Sequence, residues 1–171
     1  MADAIKKFVG VAGQTMAREL LIAYVNTGTA SNPVWSILGT RVEDSSMEYD
    51  WNTNTKRDIV GAVRNSMRKP TVTQSFEPCE LDSGESALEH IYNLAIVQQN
   101  AQALAAQDLL VVHGEAGWAE RYSASMIEAT GLGGEGGGDL GMPINVTYGG
   151  TRTLGTVTVS DGNITFVPDA A

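Results

Sequence analysis

The residues able to act as nucleophiles or as bases near neutral pH are few: one cysteine, Cys79, and two histidines, His90 and His113. A cysteine attacks as its thiolate, so a reactive one needs a nearby cation or a helix N-terminus. Cys79 instead lies between Pro78 and Glu80, and an adjacent carboxylate disfavours the thiolate. We therefore interpret Cys79 as structural, and a small hydrolase built on Cys79 and His113 is the weakest functional alternative.

The other candidates for catalysis or metal binding are isolated along the chain. His90 falls within a helical pattern and His113 ends an apolar strand, where hydrogen-bonded structural histidines are common. The sequence contains no HExxH motif and no Cys/His cluster, the patterns typical of zinc sites. Carboxylates close in sequence, such as Glu48 and Asp50, belong to a polar segment where solvated charge is expected. The sequence predicts no catalytic, metal-binding or cofactor-binding residues and no enzyme activity.

The glycine-rich stretch LGGEGGGDLG, residues 132–141, together with Gly131 forms a formal match to GxGxxG. A dinucleotide site needs a strand before this motif and a helix directly after it. The following residues, GGDLGMP, are poor helix formers, and Glu135 and Asp139 would repel a phosphate. We interpret 131–141 as a pliable loop between two strands that adapts at a subunit contact or stays mobile.

Charge is distributed unevenly along the 171 residues, whose net charge is −9. Residues 1–69 hold nine Lys/Arg against seven Asp/Glu, whereas residues 70–171 hold two against thirteen. An acidic second half argues against tight nucleic-acid binding and suits a surface that nucleic acid passes without sticking. The alternative is that these acids only keep the protein soluble. A single cysteine fits a reducing cytoplasm, and neither a membrane span nor a secretory signal is expected.

Short segments rich in β-branched residues predict about eight strands and one helix. The clearest strand segments are ELLIAYV, VWSIL, TVTQSFE, DLLVVHG, WAERYSASMIEA, INVTYG, TLGTVTVS and NITFVP. Asp161-Gly162 predicts a two-residue hairpin turn between the last two. This pattern is typical of a mainly antiparallel β barrel or sandwich with one helix packed outside. We expect residues 1–17 to form a flexible N-terminal arm and residues 18–171 a single domain.

Three local features refine this prediction. Apolar residues at helical spacing predict the helix over residues 84–98, with Asp82 and Glu85 as an acidic capping box. The cluster NTNTK predicts a hairpin tip that returns toward Ile59 and Val60. Alternation in the WAERYSASMIEA strand places four side chains on one face: Trp118, Tyr122, Ala124 and Met126.

Three segments together resemble the major tail tube protein of long-tailed, siphovirus-type phages and prophages of Gram-positive bacteria. They are RVEDSSMEYDWNTNTKRDIVG, MRKPTVTQSFEPCELDSG and GLGGEGGGDLGMPINVTYGGTRTLGTV, and the similarity runs from about Met16 to Val167. The resemblance implies a β barrel of two packed sheets with one flanking helix. It also implies a virion protein, assembled in the host cytoplasm, whose hexameric rings stack into a hollow tube for DNA passage.

The same resemblance implies the partners: further copies of the chain, tape-measure, tail terminator and baseplate or distal tail proteins, and DNA that passes without specific binding. Tubes of contractile tails and secretion-like systems are related by fold and remain an alternative. A soluble β-barrel binding module is another, which clustered aromatic residues would favour. Because strand edges and opposite charges suit self-assembly, we expect these subunit-contact residues: Tyr49, Trp51, Lys56, Arg57, Arg64, Arg68, Glu135 and Asp139.

Overall fold

A computed structural model describes residues 5–170 of the chain. With 43% of residues in strands and 11% in helices, it confirms a mainly β, antiparallel fold with a flanking helix. The strands are β1 Leu21–Asn26, β2 Trp35–Leu38, β3 Met47–Asp50, β4 Asn54–Arg57, β5 Val63–Ser66, β6 Thr71–Phe76, β7 Gln107–His113, β8 Trp118–Ala129, β9 Ile144–Tyr148, β10 Arg152–Ser160 and β11 Asn163–Pro168. The helices are α1 Ser86–Tyr92 and α2 Ala101–Leu104, with a 3₁₀ turn at Arg18–Leu20 and a π turn at Asn93–Val97.

The strands form two antiparallel layers that share β8. The long layer has the order β2-β1-β7-β8-β10-β11, in which β7 pairs with residues 118–125 of β8. The short layer has the order β8-β9-β6-β3 and uses residues 126–129 of β8. The two layers are therefore parts of one continuous, curled sheet, and the hairpin β4–β5 is a separate two-stranded sheet.

The core fills the space between the two layers and α1. Its fully buried side chains include Phe76 of the short layer, Leu109 of the long layer and Ile91 of α1. Burying each such side chain contributes roughly 1.5–3 kcal/mol, so this core dominates the stability of the barrel. The helix lies within the predicted range, but the predicted capping box is wrong: Glu85 makes no side-chain cap, and Asp82 pairs with Arg41 instead.

A second, smaller cluster lies on the outer face of the long layer. The hairpin β10–β11 folds over this face and places Ile164 and Phe166 against Trp35 and Leu110. Its turn, at Asp161-Gly162, has positive φ at both residues, as a type I′ turn requires. The Asp-Gly prediction is confirmed.

Strand β8 changes its buried face along its length. The β7–β8 register shifts between Gln107 and Leu109, which is the irregularity of a β-bulge. Beyond Tyr122 the alternation slips by one residue, so Ala124 and Met126 are exposed while the residues flanking Met126 are buried. The predicted shared face is therefore wrong for Ala124 and Met126, because a bulge shifts the period.

Candidate assembly interface

The hairpin β4–β5 lies outside the barrel, and all of its strand residues are exposed. The predicted turn at NTNTK is wrong, because Asn54–Arg57 is a strand and the chain reverses after it. The Asp58 carboxylate accepts hydrogen bonds from the backbone N–H groups of Val60 and Ala62 and so closes a later turn. Ile59 and Val60 consequently occupy the exposed tip of the hairpin.

Positive charge on this hairpin is poorly compensated. Lys56 lies directly opposite Arg64, and like charges in opposed positions destabilise a strand pair. Arg57 adds a third positive charge in the next position. The carboxylate of Asp58 approaches Arg64 only to 3.9 Å. Within the hairpin, this long ion pair is the compensation that the structure shows, and Lys56 and Arg57 take part in no salt bridge among residues 5–170.

The glycine-rich loop is anchored at its base. Two backbone hydrogen bonds of 3.0 and 2.7 Å join Gly133 and Gly141. A Cβ on Gly134 would lie 2.2 Å from the Asp139 carbonyl oxygen, so this close approach requires glycine. The chain then continues into strand β9 and not into a helix, which removes the geometry of a dinucleotide site. Glu135 and Asp139 are exposed beyond this base.

The short layer has two edges without a strand partner within the described chain. Strand β3 pairs only with β6. The opposite edge of the layer is formed by residues 126–129 of β8, which pair with β9 on one side. Strand β7 pairs only with residues 118–125 of β8, so the other side of residues 126–129 has no strand partner. Tyr49 of β3 and the following Trp51 are about half exposed. The Trp51 carbonyl accepts a hydrogen bond from the Arg68 N–H, which joins this edge to the base of the hairpin.

The outward face of the short layer is polar and contains no lysine or arginine among its strand residues. Its cross-strand rows contain hydroxyl, amide and carboxylate groups and one thioether: Glu48, Asp50, Thr71, Thr73, Ser75, Met126, Glu128, Asn145 and Thr147. No motif in the sequence singles out this face. Alternation in TVTQSFE was the available signal, but which side faces outward depends on the strand order.

The residues predicted as subunit contacts fall on three surfaces. Lys56, Arg57 and Arg64 share the hairpin; Glu135 and Asp139 share the glycine-rich loop; Tyr49, Trp51 and Arg68 lie where the short layer meets the hairpin. Among residues 5–170, no salt bridge joins the hairpin to the glycine-rich loop. Within the described residues, these basic and acidic surfaces are therefore not paired with each other.

The geometry does not support a Cys79–His113 hydrolase. Cys79 is buried and its thiol donates to the Phe76 carbonyl at 3.3 Å. Burial, with smaller contributions from nearby carboxylates, raises the pKa of Cys79 to about 12, so the thiolate is strongly disfavoured. Both ring nitrogens of His113 are engaged by Glu115 and Glu120. Over the described part of the chain, no cluster of three metal-ligating side chains occurs.

A binding module would need a pocket with clustered aromatic side chains. A cavity of about 350 Å³ opens at the seam between β1 and β6, and Phe76 is the only aromatic residue that lines it. Trp35, Trp51 and Trp118 all lie elsewhere. None of the helices that the structure describes has the length and apolar content needed to cross a membrane.

Comparison with solved structures identifies the fold. A chain of the sheath–tube complex of an extracellular contractile injection system (PVC, extended state) has a TM-score of 0.54 at 11% identity, covering 85% of this chain and 95% of that one. A chain of the sheath/tube terminator of such a system has a TM-score of 0.53 at 12% identity, covering 84% and 99%. No protein-family model and no curated protein matches the sequence. The chain therefore has a tail-tube-like β fold.

Proposed function

We propose that this chain is a non-enzymatic subunit that assembles into hexameric rings, which stack into the hollow tube of a phage tail. The observation that carries the proposal is the short layer with its two free edges. A free edge exposes unpaired N–H and C=O groups and promotes uncontrolled association, unless closure of a ring uses both edges. The tail-tube-like fold supports the same function.

In the ring, strand β3 of one copy would pair with residues 126–129 of the next copy. Six copies, the number implied by the sequence resemblance, would join their short layers into one continuous inner barrel. Tyr49 and Trp51, which are half exposed in the single chain, would lose solvent at this contact.

The outward face of the short layer would then line the lumen. Its carboxylates, such as Glu48 and Glu128, and its hydroxyl groups offer DNA no cation to replace phosphate counterions. Because such exchange is the main source of nonspecific affinity, DNA would slide through without being held. Weak retention of DNA by assembled tubes at physiological salt is expected, and strong retention would contradict this role of the face.

Stacking of rings would use the charges of the hairpin. Lys56, Arg57 and Arg64 would meet an acidic surface of the adjacent ring, formed by Glu135 and Asp139 or by the acids of residues 77–89. Such a contact joins two different surfaces, so it propagates head to tail without end. It would also supply a carboxylate for Lys56, whose opposed neighbour Arg64 has only the long ion pair with Asp58.

From the sequence resemblance, we propose that the tube belongs to a long, noncontractile tail of a phage of Gram-positive bacteria, with tape-measure, terminator and distal tail proteins as partners. The fold similarity to a chain of a contractile injection system favours a second candidate, a tube enclosed by a sheath. Micrographs of particles that contain the protein distinguish the two, because only the second candidate shows a sheath around the tube.

Two proline variants test the edge pairing. Adjacent residues of an antiparallel strand direct their N–H groups to opposite sides. Of Glu48→Pro and Tyr49→Pro, one therefore removes a bond to β6 and the other removes a donor from the free edge. We expect one variant to melt at a lower temperature and the other to stay folded without forming rings in electron micrographs. Rings or tubes from both variants at the wild-type yield would contradict the proposal.

A further inference from the structure

Two carboxylates flank His113 at the end of strand β7. Its Nδ1 lies 3.0 Å from Oε1 of Glu115, and its Nε2 lies 2.9 Å from Oε1 of Glu120. The ring stacks on Trp118 with the two ring planes parallel and their centroids 4.1 Å apart. An ionised carboxylate can only accept hydrogen bonds, whereas a neutral imidazole donates from only one nitrogen. Both contacts are therefore satisfied together only when the ring is protonated.

The two carboxylates differ in what else holds them. Glu120 is almost completely buried and also accepts hydrogen bonds from Tyr122, at 3.1 Å, and from Arg152, at 2.6 Å. Glu115 lies in the β7–β8 turn, and its second oxygen, Oε2, is buried without a partner. Loss of the His113 proton therefore breaks the contact with Glu115, because Glu120 is held in place by two other donors.

The turn that carries Glu115 also holds the N-terminal arm. The Val9 N–H donates to the Glu115 carbonyl at 2.7 Å. A Cβ on Gly117 would lie 3.6 Å from the Val9 side chain, so the arm rests on this turn. An ion pair between Lys6 and Asp169, both partly exposed, also holds this part of the arm, and such pairs contribute little.

We propose that His113 is a pH-dependent latch for the N-terminal arm: the protonated ring holds Glu115 and the turn in the arm-binding conformation, and the neutral ring releases them. Burial opposes the charged ring, but hydrogen bonds with Glu120 and Glu115 outweigh burial and raise the pKa of His113. The latch is thus closed below the ordinary histidine value of 6.5 and opens as the pH rises through the higher value of the folded protein.

The remaining charged and titratable groups around the ring do not change in this range. Arg152 stays protonated, because its contact with Glu120 raises an already high pKa against the effect of burial. Burial raises the pKa of Tyr122 to a value well above neutrality, and burial with nearby Glu120 does the same for Tyr49. Glu120 stays ionised, since its hydrogen bonds with His113 and Arg152 outweigh burial and lower its pKa.

Hydrogen exchange at the Val9 amide of the unassembled full-length protein tests the latch, with the His113 titration followed by NMR in the same samples. In the wild type, the protection factor of Val9 is expected to fall about fivefold, the worth of one hydrogen bond, as His113 loses its proton above pH 6.5. Glu115→Gln can accept from the protonated ring and donate to the neutral one, so its Val9 protection is expected to stay constant. His90→Gln, which changes the other histidine, is expected to behave as the wild type.

His113→Gln resembles the neutral ring and is expected to show low Val9 protection at every pH. If this variant fails to fold, the comparison of Val9 protection between the wild type and Glu115→Gln still tests the latch. A His113 that titrates below pH 6.5 would overturn the latch. Identical pH profiles of Val9 protection in the wild type and Glu115→Gln would overturn it as well.

Discussion

The barrel core and the hairpin β4–β5 are built on opposite principles. Core side chains such as Phe76 and Ile91 are buried where the two layers and α1 meet, and they pack against other residues of the same chain. The hairpin exposes every strand residue, places Lys56 opposite Arg64 and ends in Ile59 and Val60, both largely exposed. The core therefore accounts for the stability of one copy, whereas the hairpin is the surface at which we propose that another copy binds.

The largest expected effect on the folded monomer comes from the core. Phe76→Ala removes a side chain that is buried between the layers, and we expect it to lower the free energy of unfolding by about 3–5 kcal/mol. Urea denaturation measures this loss. A loss below 1 kcal/mol would show that the barrel packs differently.

The anchored base of the glycine-rich loop should give an intermediate effect. Gly134→Ala forces a Cβ against the Asp139 carbonyl, and we expect a loss of roughly 1–3 kcal/mol as the loop base opens. Gly136→Ala is the matched control, because a Cβ at that position meets open space. Equal melting temperatures of the two variants would mean that the loop is not closed as described.

The buried charges of the barrel predict a pH dependence of stability. The lowered pKa of Glu120 contributes stability that is present above its ordinary value of 4.5 and is lost as the pH falls through the lower folded value. Urea midpoints of the wild type should therefore fall on acidification, and Glu120→Gln should be less stable at neutral pH but flatter across the acid range. If the urea midpoint of Glu120→Gln falls on acidification as steeply as that of the wild type, Glu120 is not the source of this pH dependence.

The hairpin should give the smallest effect on the monomer and the clearest effect on assembly. Reversing Lys56 and Arg57 to Glu is expected to change monomer stability by no more than about 0.5 kcal/mol, since both side chains are exposed. Polymerisation at low salt should become slow or stop. Exchanging the two residues, Lys56→Arg with Arg57→Lys, keeps the charge and should preserve polymerisation. Normal assembly of the charge-reversed protein would remove the proposed stacking contact.

The sequence predicts the fold better than it predicts the surfaces. Alternating apolar residues locate the strands, and Asp161-Gly162 specifies its turn, because these signals act between near neighbours. The bulge before Ala124 and the turn closed by Asp58 depend on register and on single side-chain hydrogen bonds, so alternation and turn propensity mislead there. The His113–Glu120–Arg152 cluster joins residues from three strands and leaves no local pattern at all.

The same limit explains the free edges. Residues 126–129 lack a second strand partner in the described chain because the first residue of β7, Gln107, pairs with Ser125. No short sequence segment reveals this register. The predicted contacts at Tyr49 and Trp51 and on the hairpin remain predictions, now attached to three defined surfaces.

Hydrogen exchange of the backbone amides in β3 and in residues 126–129, compared between the monomer and sedimented assemblies, tests edge pairing most directly. Every second amide in both segments should exchange fast in the monomer and become protected on assembly, while the amides of the core strands stay protected throughout. Assemblies in which both segments still exchange as in the monomer would show that copies join through some other surface.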